Sequence, residues 1–156
     1  MQDRSQTARL TLYGGVTVGL LGQLVDYRWH DAHVSFVPLS PGGLLKVHSL
    51  IYLGLLMVIA AGLLGLYAVR RVDGAGAWVG PGAVLLGGLM QLAGAALDMW
   101  AHAHDMEKDL YHNLVWYGLV PIAIGAVFIE FRTWRLSADG APERIEETRS
   151  VVGERR

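Results

Sequence analysis

Asp26 and His30 stand one helical turn apart near the end of one apolar stretch, and His48, Tyr52 and Gly54 follow at the start of the next. The same order returns as Asp98, His102, His112, Trp116 and Gly118. Residues four apart share one face of a helix, and carboxylate plus imidazole is a donor set that transition metals accept. Ionisable groups inside apolar spans are costly, and for that reason they are candidates for function. Asp26, His30, His48, Asp98, His102 and His112 are therefore expected to be metal ligands, in one dinuclear centre or in two mononuclear two-His-one-Asp sites. The chain has no cysteine, so thiolate zinc sites, iron–sulfur clusters and disulfides are excluded. Copper or iron is favoured and zinc fits as well, while calcium or magnesium would call for more oxygen ligands. Tyr52 and Trp116, one turn beyond His48 and His112, are expected to lie against the ligands without binding metal themselves.

The elements that must position these residues are apolar helices. With 53% hydrophobic residues, 20 glycines among 156 residues and a mean hydropathy of +0.35, the composition is that of a small integral membrane protein. Four largely apolar stretches, 10–30, 47–69, 75–102 and 112–131, are each long enough to cross a hydrocarbon core as a helix. Pro81 falls near the start of the third, where proline is tolerated. No signal-peptide cleavage pattern follows the first stretch, so it reads as a retained span. Arg4, Arg9, Arg70, Arg71, Arg132 and Arg135 flank one side of these spans, against Arg28, Lys46 and Lys108 on the other. This bias predicts a cytoplasmic-membrane protein with both termini in the cytoplasm and the histidines toward the outer face. Trp29, Trp100 and Trp116 then fall at the outer interface and Trp78 and Trp134 at the inner one. The expected organisation is a cytoplasmic N-terminus over 1–9, hairpins over 10–71 and 72–136, and a disordered cytoplasmic tail over 137–156. A formal net charge of −1 gives no sign of nucleic-acid binding.

A shift of 72 positions lays Gly15, Gly22, Asp26 and His30 on Gly87, Gly94, Asp98 and His102, and a shift of 64 lays His48, Tyr52 and Gly54 on His112, Trp116 and Gly118. The repeat predicts an all-α four-helix bundle made of two parallel helical-hairpin repeats. Gly15, Gly19, Gly22, Asp26 and His30 form one stripe of the first helix, and Gly87, Gln91, Gly94, Asp98 and His102 one stripe of the third. Small-residue seams let helices approach closely in lipid. If the first and third helices pack through these seams, Asp26 faces Asp98 and His30 faces His102 across the bundle axis. His33 and His104 break the repeat and are assigned no role.

Asp-x3-His at the end of one span, with a histidine on the next, resembles the copper site in the C subunit of particulate methane and ammonia monooxygenases. The resemblance covers Asp26, His30 and His48 and their copies; the histidine-to-histidine loop differs between the copies, with seventeen residues in the first and nine in the second. It implies a membrane copper site and oxygen chemistry, as in an oxidoreductase or monooxygenase-like subunit. The same stretches also resemble small multi-span bacterial membrane proteins, which adds no activity. Membrane cytochromes of the b type offer an alternative, with bis-His haem held by His30, His48, His102 and His112. Transport or delivery of a metal or proton is a third reading, weakened because the inner half of the spans offers little polar beyond Thr11, Thr17 and Tyr67. The expected partners are the lipid bilayer, further copies of the chain or other subunits of a membrane complex, and a hydrophobic substrate or quinol.

Overall fold

The computed structural model describes the backbone of residues 2–32, 41–70, 76–104, 106 and 109–139; side chains at 2, 3, 30, 31, 41, 44, 102, 103, 109, 112 and 137–139 lie outside the described residues. His33 and the tail from 140 onward also lie outside them. The described chain is all-α: α1 (Gln2–Ala32), α2 (Pro41–Val47), α3 (Ser49–Val69), α4 (Gly76–Ala103), α5 (Asp109–Tyr117) and α6 (Leu119–Asp139). Three stretches, Ser49–Val69, Gly76–Ala101 and Asn113–Leu136, are long and apolar enough to cross a membrane. The first of the four expected spans is not among them. α1 has 31 residues, ample length at about 1.5 Å per residue, but Thr17, Gln23, Asp26 and its glycines dilute its apolar character.

Local sequence explains where the helices break. Proline has no N–H and its ring crowds the carbonyl four residues earlier. Pro121 imposes this on Tyr117, where α5 ends. Gly118 turns the chain into α6, its N–H donating to the Leu114 carbonyl at 3.1 Å. α2 and α3 are nearly continuous through His48, whose backbone (φ −90°, ψ 9°) leaves helical values while its carbonyl still accepts from the Tyr52 N–H at 3.0 Å. Pro81 lies in the second turn of α4 and is buried against α3, where Gly65 leaves room for its ring.

α1 packs along α3, α3 along α4, and α4 along α5 and α6. Leu12, Val58, Ala61, Val84 and Ile122 bring α1, α3, α4 and α6 together in one buried cluster. Outside it, large apolar side chains face away from the protein on every long helix, among them Leu21 and Leu24 of α1, Leu56 and Leu63 of α3, Leu86 of α4 and Val127 of α6. Such a surface suits hydrocarbon and not water.

The glycine seams do not join α1 to α4. A Cβ at Gly54 of α3 would lie 2.6 Å from the Gly19 Cα and 2.7 Å from the Gly15 carbonyl oxygen of α1. One at Gly118 would lie 2.6 Å from the Gly87 carbonyl oxygen and 2.5 Å from Gln91 Cγ of α4. Gly22 admits the backbone of Ile51, and Gly94 that of Val115. Each seam therefore packs on the next long helix of its own half of the chain, and the expected meeting of Asp26 with Asp98 across the α1–α4 axis is corrected accordingly.

Gly54→Ala should overpack the α1–α3 seam and cost about 1–3 kcal/mol, whereas Gly82→Ala, whose Cβ meets nothing within 4 Å, should leave stability unchanged or slightly raised. Unfolding of both variants in mixed detergent micelles checks this, and equal stability of the two would refute the seam's role.

Candidate functional site

Asp26 lies one turn beyond Gly22, and that glycine lets the start of α3 press against α1 with a would-be Cβ only 2.6 Å from the Ile51 backbone nitrogen. The close approach carries His48, at the N-terminus of α3, to the Asp26 carboxylate. His48 Nε2 and Asp26 Oδ1 are 3.0 Å apart. Asp26 is only 6% exposed and the His48 side chain 15%, so the pair sits in a largely dehydrated seam where an interaction between opposite charges is screened little.

Tyr52, one turn further along α3, places its ring 6.0 Å from that of His48 at a tilt of 40°. Its hydroxyl lies within electrostatic reach of both Asp26 of α1 and Asp98 of α4. Below it is a cavity of about 40 Å³ lined by Gln23, Tyr52, Gln91 and Trp116 together with apolar side chains of α1, α3, α4 and α6. Gln91 is buried and donates from Nε2 to the Val115 carbonyl at 3.0 Å, just before the α5–α6 break. At the position of Gly19 in the first seam, the second seam thus carries an amide that fastens α4 to α5.

The metal centre is not borne out. Among the described residues no group of three or more His, Asp or Glu side chains comes together; the first half supplies Asp26 and His48, one short of a two-His-one-Asp set. The His30, His102 and His112 side chains lie outside the described residues, whereas Asp98 sits on the other seam. Copper, iron or zinc binding, the oxidoreductase chemistry that would go with it and the resemblance to the monooxygenase copper site are corrected on this ground. Haem is corrected too. The space beside the helix glycines is filled by neighbouring backbone, and the cavity beneath Tyr52 and Trp116 is far smaller than a haem. Tyr52 and Trp116 do share that cavity, but as its walls and not as neighbours of a cofactor. His104, exposed, places Nδ1 2.8 Å from the Trp100 carbonyl oxygen and its ring 4.6 Å from the Trp100 ring, finishing α4.

A second polar cluster lies at the other end of the bundle, where the spacing of motifs gave no sign of it. Arg9 of α1 donates from Nε and one terminal nitrogen to the two oxygens of Glu130 on α6, at 2.8 and 2.7 Å. Tyr13 donates to the same carboxylate at 2.5 Å. The inner half of the spans is thus more polar than Thr11, Thr17 and Tyr67 suggest. The available signal was a single carboxylate, Glu130, inside the apolar run of α6; its partners, more than a hundred residues away, had no local mark.

No protein family, no curated protein and no solved structure matches the chain. Fold and site together define a class only: an all-α protein with membrane-length helices and a buried Asp–His pair.

Asp26→Ala and His48→Ala each remove one member of a largely buried pair, so each should cost about 3 kcal/mol. The double variant should lose less than the sum, with a coupling of about 1–3 kcal/mol in a double-mutant cycle measured by detergent unfolding. Strict additivity would show that the two side chains do not interact.

Proposed function

We propose that the protein crosses the membrane four times as two parallel helical hairpins, with α1 as the first span, and that the pair Asp26–His48 is a proton-binding site that makes the packing of α1 on α3 respond to pH. The observation that carries the reading is a carboxylate 6% exposed, 3.0 Å from the His48 imidazole, at a seam too tight for a Cβ.

The hairpin arrangement is supported by the recurrence of the same contacts at corresponding positions: Gly15 and Gly54 as Gly87 and Gly118, Gly22 and Ile51 as Gly94 and Val115. α1 also turns Leu20, Leu21, Leu24 and Val25 outward, as a lipid-facing helix does. Arg4, Arg9, Arg70, Arg132 and Arg135 gather at one end of the bundle, which favours a cytoplasmic placement of that end and an outer placement of Asp26 and His48.

The chemistry follows from charge. Holding one proton between them, carboxylate and imidazole are neutral as a unit. A second proton leaves a buried imidazolium without its counter-ion, and loss of the first leaves a buried carboxylate facing a neutral ring; both states cost more at a dehydrated seam than in water. Separating α1 from α3 at this end hydrates the excess charge, so protonation and packing are coupled. Tyr52 on α3 lies beside the His48 ring and within electrostatic reach of Asp26 and of Asp98 on α4. The cavity bordered by Gln23, Tyr52 and Gln91 is polar enough and large enough for water.

Infrared difference spectra of the protein in lipid vesicles, stepped through the pH range where imidazole and carboxyl groups change charge, should contain a carboxylic-acid component that grows on acidification. Asp26→Asn should remove this component. An unchanged titration in Asp26→Asn, or none in the wild type, would leave the pair as a structural clamp and sink the proposal.

A further inference from the structure

A second cavity, of about 90 Å³, lies at the arginine-rich end between α1, α3, α4 and α6. Its interior is apolar, with Leu12, Gly65, Val84 and Ile129 among its walls, and its rim carries Arg9 and Arg132. Phe128 and Leu136 of α6 line it while remaining 48% and 64% exposed, so the cavity opens to the surroundings beside α6. On that side α1 and α6 are joined by side chains, Arg9 and Tyr13 reaching Glu130, and not by a glycine seam. The result is an apolar crevice with a polar strap across it.

Among the described residues, the charges at this end do not cancel. Glu130 is the described carboxylate here, and it accepts two bonds from Arg9 and one from Tyr13. Arg70 lies over the Tyr67 ring at 3.8 Å, Arg4 over the same ring at 5.0 Å and Arg135 over Phe131 at 5.5 Å. Arg132 is different: it is half-buried on the cavity rim and makes no hydrogen bond or ion pair among the described residues. A partly dehydrated guanidinium calls for an anion, and its planar fork of donors matches a phosphate. Beside an apolar crevice open to lipid, the matching ligand has both a phosphate and a hydrocarbon chain.

We propose that this cavity binds one anionic phospholipid, its phosphate on Arg132 and an acyl chain entering the crevice between α1 and α6. The proposal rests on α1 being membrane-embedded, and it is independent of the Asp26–His48 site. Native mass spectrometry of the full chain, released from detergent containing equal amounts of phosphatidylglycerol and phosphatidylcholine, provides the test. One phosphatidylglycerol per chain should be retained in preference to phosphatidylcholine. Arg132→Gln should weaken that retention by about tenfold, the equivalent of one lost charge-assisted contact. Ala68→Phe, which puts a ring into the cavity without changing charge, should also weaken it; if that variant does not fold, Arg132→Gln decides alone. Asp26→Asn should bind as the wild type does, which separates failure here from failure of the proton site. Equal retention of the two lipids, or no effect of Arg132→Gln, would overturn the proposal. So would equal displacement by oleate, which makes this a fatty-acid site, or binding gained only when the chain is ended at Asp139, which assigns the cavity to the protein's own tail with its four glutamates.

Discussion

The contact on which the rest of this structure depends is the backbone approach of α1 to α3 at Gly15, Gly19 and Gly54. No Cβ fits at Gly15 or at Gly54, so the contact fixes both the distance between the helices and their register. In lipid there is no hydrophobic drive to bring helices together, and close van der Waals packing must supply the association. Register is what turns packing into chemistry. Moving α1 along α3 by one turn, about 5.4 Å, would separate Asp26 from His48 and leave two ionisable groups buried alone.

α1 is the least apolar of the long helices, and it also carries a charged anchor toward each end. Asp26 holds it to α3, and Arg9 with Tyr13 holds it to α6. The anchors differ in kind. Arg9–Glu130 is a two-point guanidinium–carboxylate pair with side chains 32% and 40% exposed, and its arginine stays charged throughout the physiological range. Asp26–His48 is nearly buried and includes an imidazole, the side chain whose charge changes closest to neutral pH. The two ends of α1 are therefore held by pairs of different chemistry. Between them the Leu12–Val58–Val84–Ile122 cluster provides a common core against which α1 bears.

The two halves of the chain repeat this plan with differences that matter. Gly19 of the first seam becomes Gln91 of the second, and a bare backbone contact becomes an amide hydrogen bond to the Val115 carbonyl. The second half also breaks its last helix at Gly118, ahead of Pro121, whereas α3 runs unbroken from Ser49 to Val69. The first half thus provides the tight ionic seam, and the second, fastened by Gln91, the more rigid wall of the cavity they share.

Much of this was written in local sequence. Apolar runs and positive flanks determined the helical class and three of the membrane-length segments, because length and hydropathy are properties of contiguous residues. The small-residue stripes announced which faces would pack, and the spacing of Asp26 and His48 marked them as a polar site. Tertiary structure alone decided what those stripes pack against. A glycine stripe states that a backbone will come close but not whose, and the seams close on α3 and on α5–α6 instead of joining α1 to α4. That choice brought His48 to Asp26, without a third metal-binding side chain among the described residues. It also brought Arg9 and Tyr13 to Glu130, a meeting of residues more than a hundred positions apart whose energy comes from a shared location that no local pattern encodes.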